Sequence, residues 1–275
     1  MMAPLARHPA MNRTQWNKRI DRADTLIGRE TSSREVLTFY RHVLGVQRQI
    51  SENTGDAPAR GSEGGEARLR ECIDVDAASR WLPVVFLLAR EKGPPALAHA
   101  VGLIEALSQE SQRQLLQDYI DRRNGLDDAV IFVARIVIEP FAERLGGQIR
   151  FTTTGSEGIC PLCGGSPQLA VLRPEGDGGK RYLQCSFCSL EWEFRRVLCP
   201  GCSETDHTKL PRYSAEEPKA VRVEACDTCK TYLKSFDTTL DGLLVPAVDE
   251  VATVVLDVWA TEHGYRKIQP NVIGF

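Results

Sequence analysis

Eight of the nine cysteines of this chain fall between residues 160 and 229, and all eight come in Cys-x-x-Cys pairs: Cys160/Cys163, Cys185/Cys188, Cys199/Cys202 and Cys226/Cys229. Two intervening residues let one tight turn aim both sulfurs at a single ion. A second such turn about 15–20 residues on, or slightly more, completes a tetrahedral four-thiolate site. The intervals between successive pairs are 21, 10 and 23 residues, so pairs one and two are expected to form one site and pairs three and four another. Four thiolates suit Zn(II) or a single iron, and a complete ligand set leaves no position for an activated water. Metal-centred catalysis is therefore disfavoured. A dithiol redox role would need a helix N-terminus to lower a thiol pKa, and the flanking sequence suggests no such helix.

Each site calls for a small ribbon of β-hairpins with a turn at either end of the ion. Gly164, directly after Cys163, and Gly201, inside Cys199-Pro-Gly-Cys202, suit the positive φ and close backbone approach of such turns. Binding one ion contributes about 10–16 kcal/mol in zinc-finger peptides, so this half of the chain is expected to unfold without metal. His207 is near the second set, but four thiolates are already available there. It reads as a surface side chain, as do Arg195 and Arg196 between the ribbons. Trp192 is expected to pack one ribbon on the other. Cys72 reads as a small core residue, and His263 as a favourable charge at a helix end. No catalytic residues are recognised: the sequence lacks a Ser/His/Asp set, a carboxylate pair and a phosphate-cradling Gly-x-x-x-x-Gly-Lys stretch.

The elements that must position these cysteines divide near residue 150. Residues 1–150 contain no Cys-x-x-Cys pair and read as an all-helical domain of five to seven helices. Ser32 and Glu35 form a capping-box pattern, followed by Val36, Tyr40, Val43, Leu44 and Gln47 on one helical face. "DDAVIFVARIVIEPFAERL" predicts a further helix ending at Gly146 and Gly147. The stretch 51–66 has no large apolar side chain and reads as a mobile loop within this domain. From Ile149 the sequence turns β-prone, with "IRFTTTG" leading into the first ribbon, 151–194. The second ribbon covers 195–240. Residues 241–275 carry a last helix from about Val248 to His263 and a tail. The fold class is α+β.

At 275 residues with 42% hydrophobic and 26% charged content, the chain can bury a real core. Its longest apolar runs fall short of the roughly 20 residues that span a bilayer, so no membrane insertion is expected. The first residues do not resemble a secretory signal, which points to the cytoplasm, where thiols stay reduced and paired cysteines argue for metal. Nucleic-acid binding, a common use of zinc ribbons, requires a basic surface. Residues 151–238 carry 11 Lys plus Arg against 12 Asp plus Glu, and the whole chain has a net charge of -3, so that use is disfavoured.

The order "CPLCGGSP", "RYLQCSFCSLEWEFRRVLCPGC" and "VEACDTCKTYLKSFD", closed by "GYRKIQPNVIGF", resembles the family of formate dehydrogenase accessory proteins, the FdhE type. The resemblance implies a cytoplasmic assembly factor, not an enzyme, that binds the catalytic subunit of respiratory formate dehydrogenase and assists its maturation before export. It also implies rubredoxin-like mononuclear iron at both four-cysteine sites, with zinc as the alternative metal, and all eight family cysteines are present. Iron held in this way supports a second reading, a rubredoxin-like electron-transfer or redox-sensing protein. A zinc-ribbon nucleic-acid-binding protein is the third.

Overall fold

The computed structural model describes residues 11–29, 32–55, 68–149, 158–175, 178–214 and 218–274. The β-prone stretch 150–157, the start of the first ribbon and most of the expected loop, 56–66, lie outside the described residues. Ser51 to Asn53, the start of that expected loop, instead form the last turn of a helix, and Ser51 is buried.

Helices α1 (Arg13–Ile27) and α2 (Arg34–Asn53) pack side by side, followed by short α3 (Arg68–Glu71) and α4 (Val75–Ser79), then α5 (Leu82–Lys92), α6 (Pro95–Glu105), α7 (Gln109–Ile120) and α8 (Asp128–Gly146). On α2 the buried side chains Leu37, Tyr40, Val43, Leu44, Gln47 and Ile50 follow the expected spacing. Its capping box does not form. Ser33 is the residue before the helix, and its hydroxyl donates to the Ala252 carbonyl (2.7 Å), so it ties the helix start to a distant segment instead. α8 is buried on nearly every side, the mark of a central helix.

The cysteine half forms one sheet from two three-stranded units. β1 (Pro167–Glu175), β2 (Gly178–Cys185) and β3 (Glu191–Glu193) make an antiparallel meander, as do β4 (Arg212–Ser214), β5 (Val221–Cys226) and β6 (Thr231–Asp237). A parallel pairing of β1 with β6, Leu169 opposite Lys234 through Leu172 opposite Asp237, joins them in the order β3-β2-β1-β6-β5-β4. A two-residue strand, β7 (Arg266–Lys267), pairs with the start of β6.

The expected last helix is two: α9 (Pro246–Ala252) and α10 (Val254–Glu262). Thr253 breaks it at φ -105, ψ 32. The Lys234 ammonium reaches in from β6 and donates to the carbonyls of Glu250 and Thr253, and the Thr253 hydroxyl donates to the Asp249 carbonyl. Apolar periodicity carries no trace of a lysine arriving from a strand. Among the described residues, no helix is long and apolar enough to cross a membrane.

The helices and the first ribbon share one core. Leu37, Val85, Ile136 and Phe141 belong to the same apolar cluster as Leu162, Leu183, Phe187 and Trp192. Trp192 thus packs the first ribbon into the core it shares with the helical body, rather than serving only as a wedge between ribbons. Cys72 is half-buried against this core.

Candidate metal centres

The structure brings the eight paired cysteines into two groups of four, Cys160, Cys163, Cys185 and Cys188 in one, Cys199, Cys202, Cys226 and Cys229 in the other, with all sulfurs of a group within 4.8 Å of one another. The first joins the turn before β1 to the β2–β3 turn. The second joins the turn ahead of β4 to the β5–β6 turn. Across the first group Cys160 Sγ lies 3.7 Å from Cys188 Sγ, and Cys163 Sγ 3.4 Å from Cys185 Sγ. In the second, the Cys199–Cys229 and Cys202–Cys226 separations are both 3.7 Å. A regular tetrahedron with metal–sulfur bonds of ~2.3 Å has edges of ~3.8 Å. Both donor sets therefore fit a four-thiolate ion.

All four turns repeat one backbone design. In each, the amide of the residue after the second cysteine donates to the carbonyl of the first: Gly164 to Cys160 (2.9 Å), Ser189 to Cys185 (3.2 Å), Ser203 to Cys199 (3.0 Å) and Lys230 to Cys226 (2.8 Å). That residue is left-handed every time, with φ of 67, 55, 63 and 56 respectively. Glycine fills this place once; the other three knuckles hold a side chain in a strained conformation, which turn propensity alone does not flag. Gly201 is not left-handed, and its need is for space: a Cβ there would lie 3.0 Å from Thr231 Oγ1 and 3.5 Å from Cys229 Sγ. Gly165 answers it in the first site, where a Cβ would meet Cys185 Sγ at 3.0 Å and Cys163 Sγ at 3.2 Å. Amides of Phe187 and Gly201 donate to the sulfurs of Cys185 and Cys199, both at 3.3 Å.

Packing the sulfurs together sets their thiols against one another. Burial pushes Cys185 and Cys188 well up, whereas bonds with the other three cysteines hold Cys163 well below its usual range. In the second site burial raises Cys199. The same effect on Cys229 is outweighed by the Thr231 hydroxyl, 3.0 Å from its sulfur, and by the Thr231 amide, which bring it down to about 7. Four sulfurs in such a space become thiolates together only around a cation.

The two sites differ in their surroundings. All four sulfurs of the first are buried, and the helical body grips both its knuckles. Arg70 donates to the Cys163 carbonyl (2.9 Å) and lies 3.8 Å over the Phe187 ring. From α8, Arg135 reaches the Ser186 carbonyl (3.3 Å) and pairs with Glu139. One turn on, Glu143 accepts from the Ser189 hydroxyl and pairs with Arg19 at 3.0 Å. Nothing in the apolar pattern of α8 reveals this buried polar seam, although its i, i+4, i+8 spacing is visible once the helix is placed. Burial also lifts the Glu139 carboxyl to about 7 against the opposing pull of Arg135. The second site lies at the surface, with Cys202 exposed and Cys229 half-buried.

His207 is exposed in a short 3-10 turn and is no part of the sulfur cluster. His263 stacks on Trp259 at 4.1 Å and meets its carbonyl at 2.7 Å, at the end of α10. Arg195 and Arg196 are exposed, and their carbonyls accept from Arg181 and Arg212, binding the linker to both ribbons.

Two family models match this half of the chain: "FdhE, central domain" over residues 159–196 and "FdhE, C-terminal domain" over 197–273. An FdhE homolog of Aquifex aeolicus is 24% identical over 268 residues, covering 93% of this chain and 94% of its own. An FdhE homolog of Pectobacterium carotovorum is 29% identical over 199 residues, and the match spans 64% of that protein's length. The crystal structure of the FdhE protein from Pseudomonas aeruginosa superimposes with a TM-score of 0.77 over 98% of this chain and 99% of that one, at 22% identity. The fold is shared throughout, including the helical half that neither family model covers.

Proposed function

The chain belongs to the FdhE family, and on that premise we propose that it is a cytoplasmic accessory factor that binds the catalytic subunit of respiratory formate dehydrogenase and assists its maturation. The observation that carries this reading is the closed donor sets. Each site offers four sulfurs at tetrahedral spacing, and a metal held this way has no position left for substrate. Such sites fix a surface rather than turn over a reactant. In this reading each set of four cysteines would hold one iron, and the bound ion would supply structural closure.

The test is capture of the tagged full-length protein from cells making formate dehydrogenase. The catalytic subunit should be recovered with it, and its absence from the captured material would overturn the proposal. A second reading, electron transfer or redox sensing, is favoured by one observation: the second site reaches the surface at Cys202. It requires iron that cycles reversibly, so a purified protein holding only zinc excludes it.

A further inference from the structure

A groove of about 930 Å³, lined by none of the paired cysteines, lies between the starts of α2 and α8, the α5–α6 junction and the C-terminal tail. Its apolar lining is Val36, Phe39, Leu97, Ala100, Ile131 and Phe132, with Phe39 and Phe132 stacked at 5.9 Å. Residues 269–274 form one wall. The volume lies in the upper part of the roughly 300–1,000 Å³ range of ligand pockets.

The groove does not end at its rim. Leu103, three residues beyond Ala100, continues the same face of α6 toward solvent, and Leu107 follows just past the helix end; they are 62% and 44% exposed. The whole is an apolar track, not a closed cavity.

Charge selects the occupant. Glu35, Asp127 and Asp128 stand exposed around the groove against one exposed cation, Lys92. None of the three acids forms an ion pair among the described residues. Arg135 also borders it but is buried and committed to Glu139, Gln168 and the carbonyls of Pro270 and Ser186. Three helix N-termini converge here, those of α2, α6 and α8; Glu35 and Asp128 offset the positive ends of α2 and α8, and α6 has no acid in its first turn. A cation beside apolar side chains is what this rim favours.

We propose that this groove binds an extended apolar segment of another protein, anchored by an arginine or lysine at the Glu35/Asp127/Asp128 rim. The proposal rests on the reading of the chain as a binding factor and names a surface through which it acts. Apolar side chains enter over the Phe39–Phe132 pair, and the segment runs along α6 past Leu103.

The test uses the full-length, metal-loaded protein and a fluorescent peptide of leucine and alanine carrying two arginines, beside the same peptide with two glutamates. The arginine peptide should bind and the glutamate peptide should not. Affinity should fall by about tenfold in the Glu35→Gln/Asp128→Asn variant and again on adding salt. Ala100→Trp, which fills the groove, should abolish binding, with unchanged metal content and circular dichroism showing that the variant folds. Equal binding of both peptides, or indifference to these substitutions, would overturn the proposal. So would binding that appears only after removal of residues 1–10, which marks a segment of this chain as the occupant, or only on dilution of a dimer, which marks a second copy. If wild type and Ala100→Trp capture the formate dehydrogenase subunit equally, the accessory reading stands and the groove proposal falls. Peptide binding without subunit capture is the reverse result.

Discussion

Lys234 Nζ lies 2.6 Å from Asp257 Oδ2, with side-chain exposures of 0% and 3%. Around this pair, Lys234 also meets Glu250 (3.1 Å), Lys267 bridges Glu250 and Asp257, Tyr232 donates to Asp257 (2.9 Å), and Asn271 donates to Glu250 (2.6 Å). Two lysines and two carboxylates balance, and the cluster pins β6, the α9–α10 break and the C-terminal tail to one another. Removing one partner leaves an uncompensated buried charge. Lys234→Met should therefore lower stability by about 3–5 kcal/mol. Arg113→Ala, which breaks exposed pairs with Asp76 and Glu110, should shift the midpoint far less, because exposed pairs are screened by solvent. Urea midpoints of the metal-loaded proteins check the contrast.

The same cluster gives stability a pH dependence. Burial pushes the Glu250 carboxyl up, but Lys234 and Lys267 outweigh it and hold it down from 4.5 to about 2. A carboxyl depressed in the folded state contributes stability that is fully present above 4.5 and is lost as pH falls toward 2. The expected loss is on the order of 3 kcal/mol. Glu250→Gln should be less stable at neutral pH and should lack this acid slope. Thiolate protonation affects both proteins alike, so the difference between their pH–stability curves isolates the carboxyl; parallel curves would refute the assignment.

The knuckles make a backbone prediction. Ser203 is exposed and held at φ 63, so Ser203→Gly should stabilise by about 0.5–1 kcal/mol, the relief of left-handed strain less the entropy glycine loses. Gly164→Ala should do the opposite, costing about 1–2 kcal/mol, because φ is 67 and the new Cβ meets Arg122 Nη1 at 3.0 Å. Thermal midpoints of both variants with metal bound test the pair of signs.

Metal should leave the two sites at different rates. The first is sealed under α8 and Arg70, and the second opens at Cys202. A chelator is expected to remove one ion fast and the other slowly. Cys202→Ser should eliminate the fast phase and leave the slow one. A single phase in the wild-type protein would contradict the asymmetry.

Much of this was legible in the sequence. Cysteine spacing alone grouped the eight cysteines into the two sets of four that the structure brings together, because a two-residue turn and a returning hairpin leave few ways to close a tetrahedron. The α+β class followed from the change in character after the central helix. What stayed hidden depends on contacts between distant segments. Lys234 breaks a helix that its own periodicity extends through Thr253, and Ser33 spends its hydroxyl on Ala252 rather than on a cap. Arg135, Glu139 and Glu143 read as interruptions of an apolar helix, yet they hold the second knuckle through Ser186 and Ser189. Ser189, Ser203 and Lys230 adopt a conformation in which glycine is expected, because closing the knuckle outweighs the local strain.

The most direct test of the account is the metal content and coordination of the chain purified without oxygen, measured by elemental analysis and X-ray absorption. The account predicts two ions per chain, each with four sulfur neighbours at ~2.3 Å, and iron as the metal. Nitrogen or oxygen in the first coordination sphere, fewer than two ions in fully folded protein, or disulfides in place of metal would contradict it.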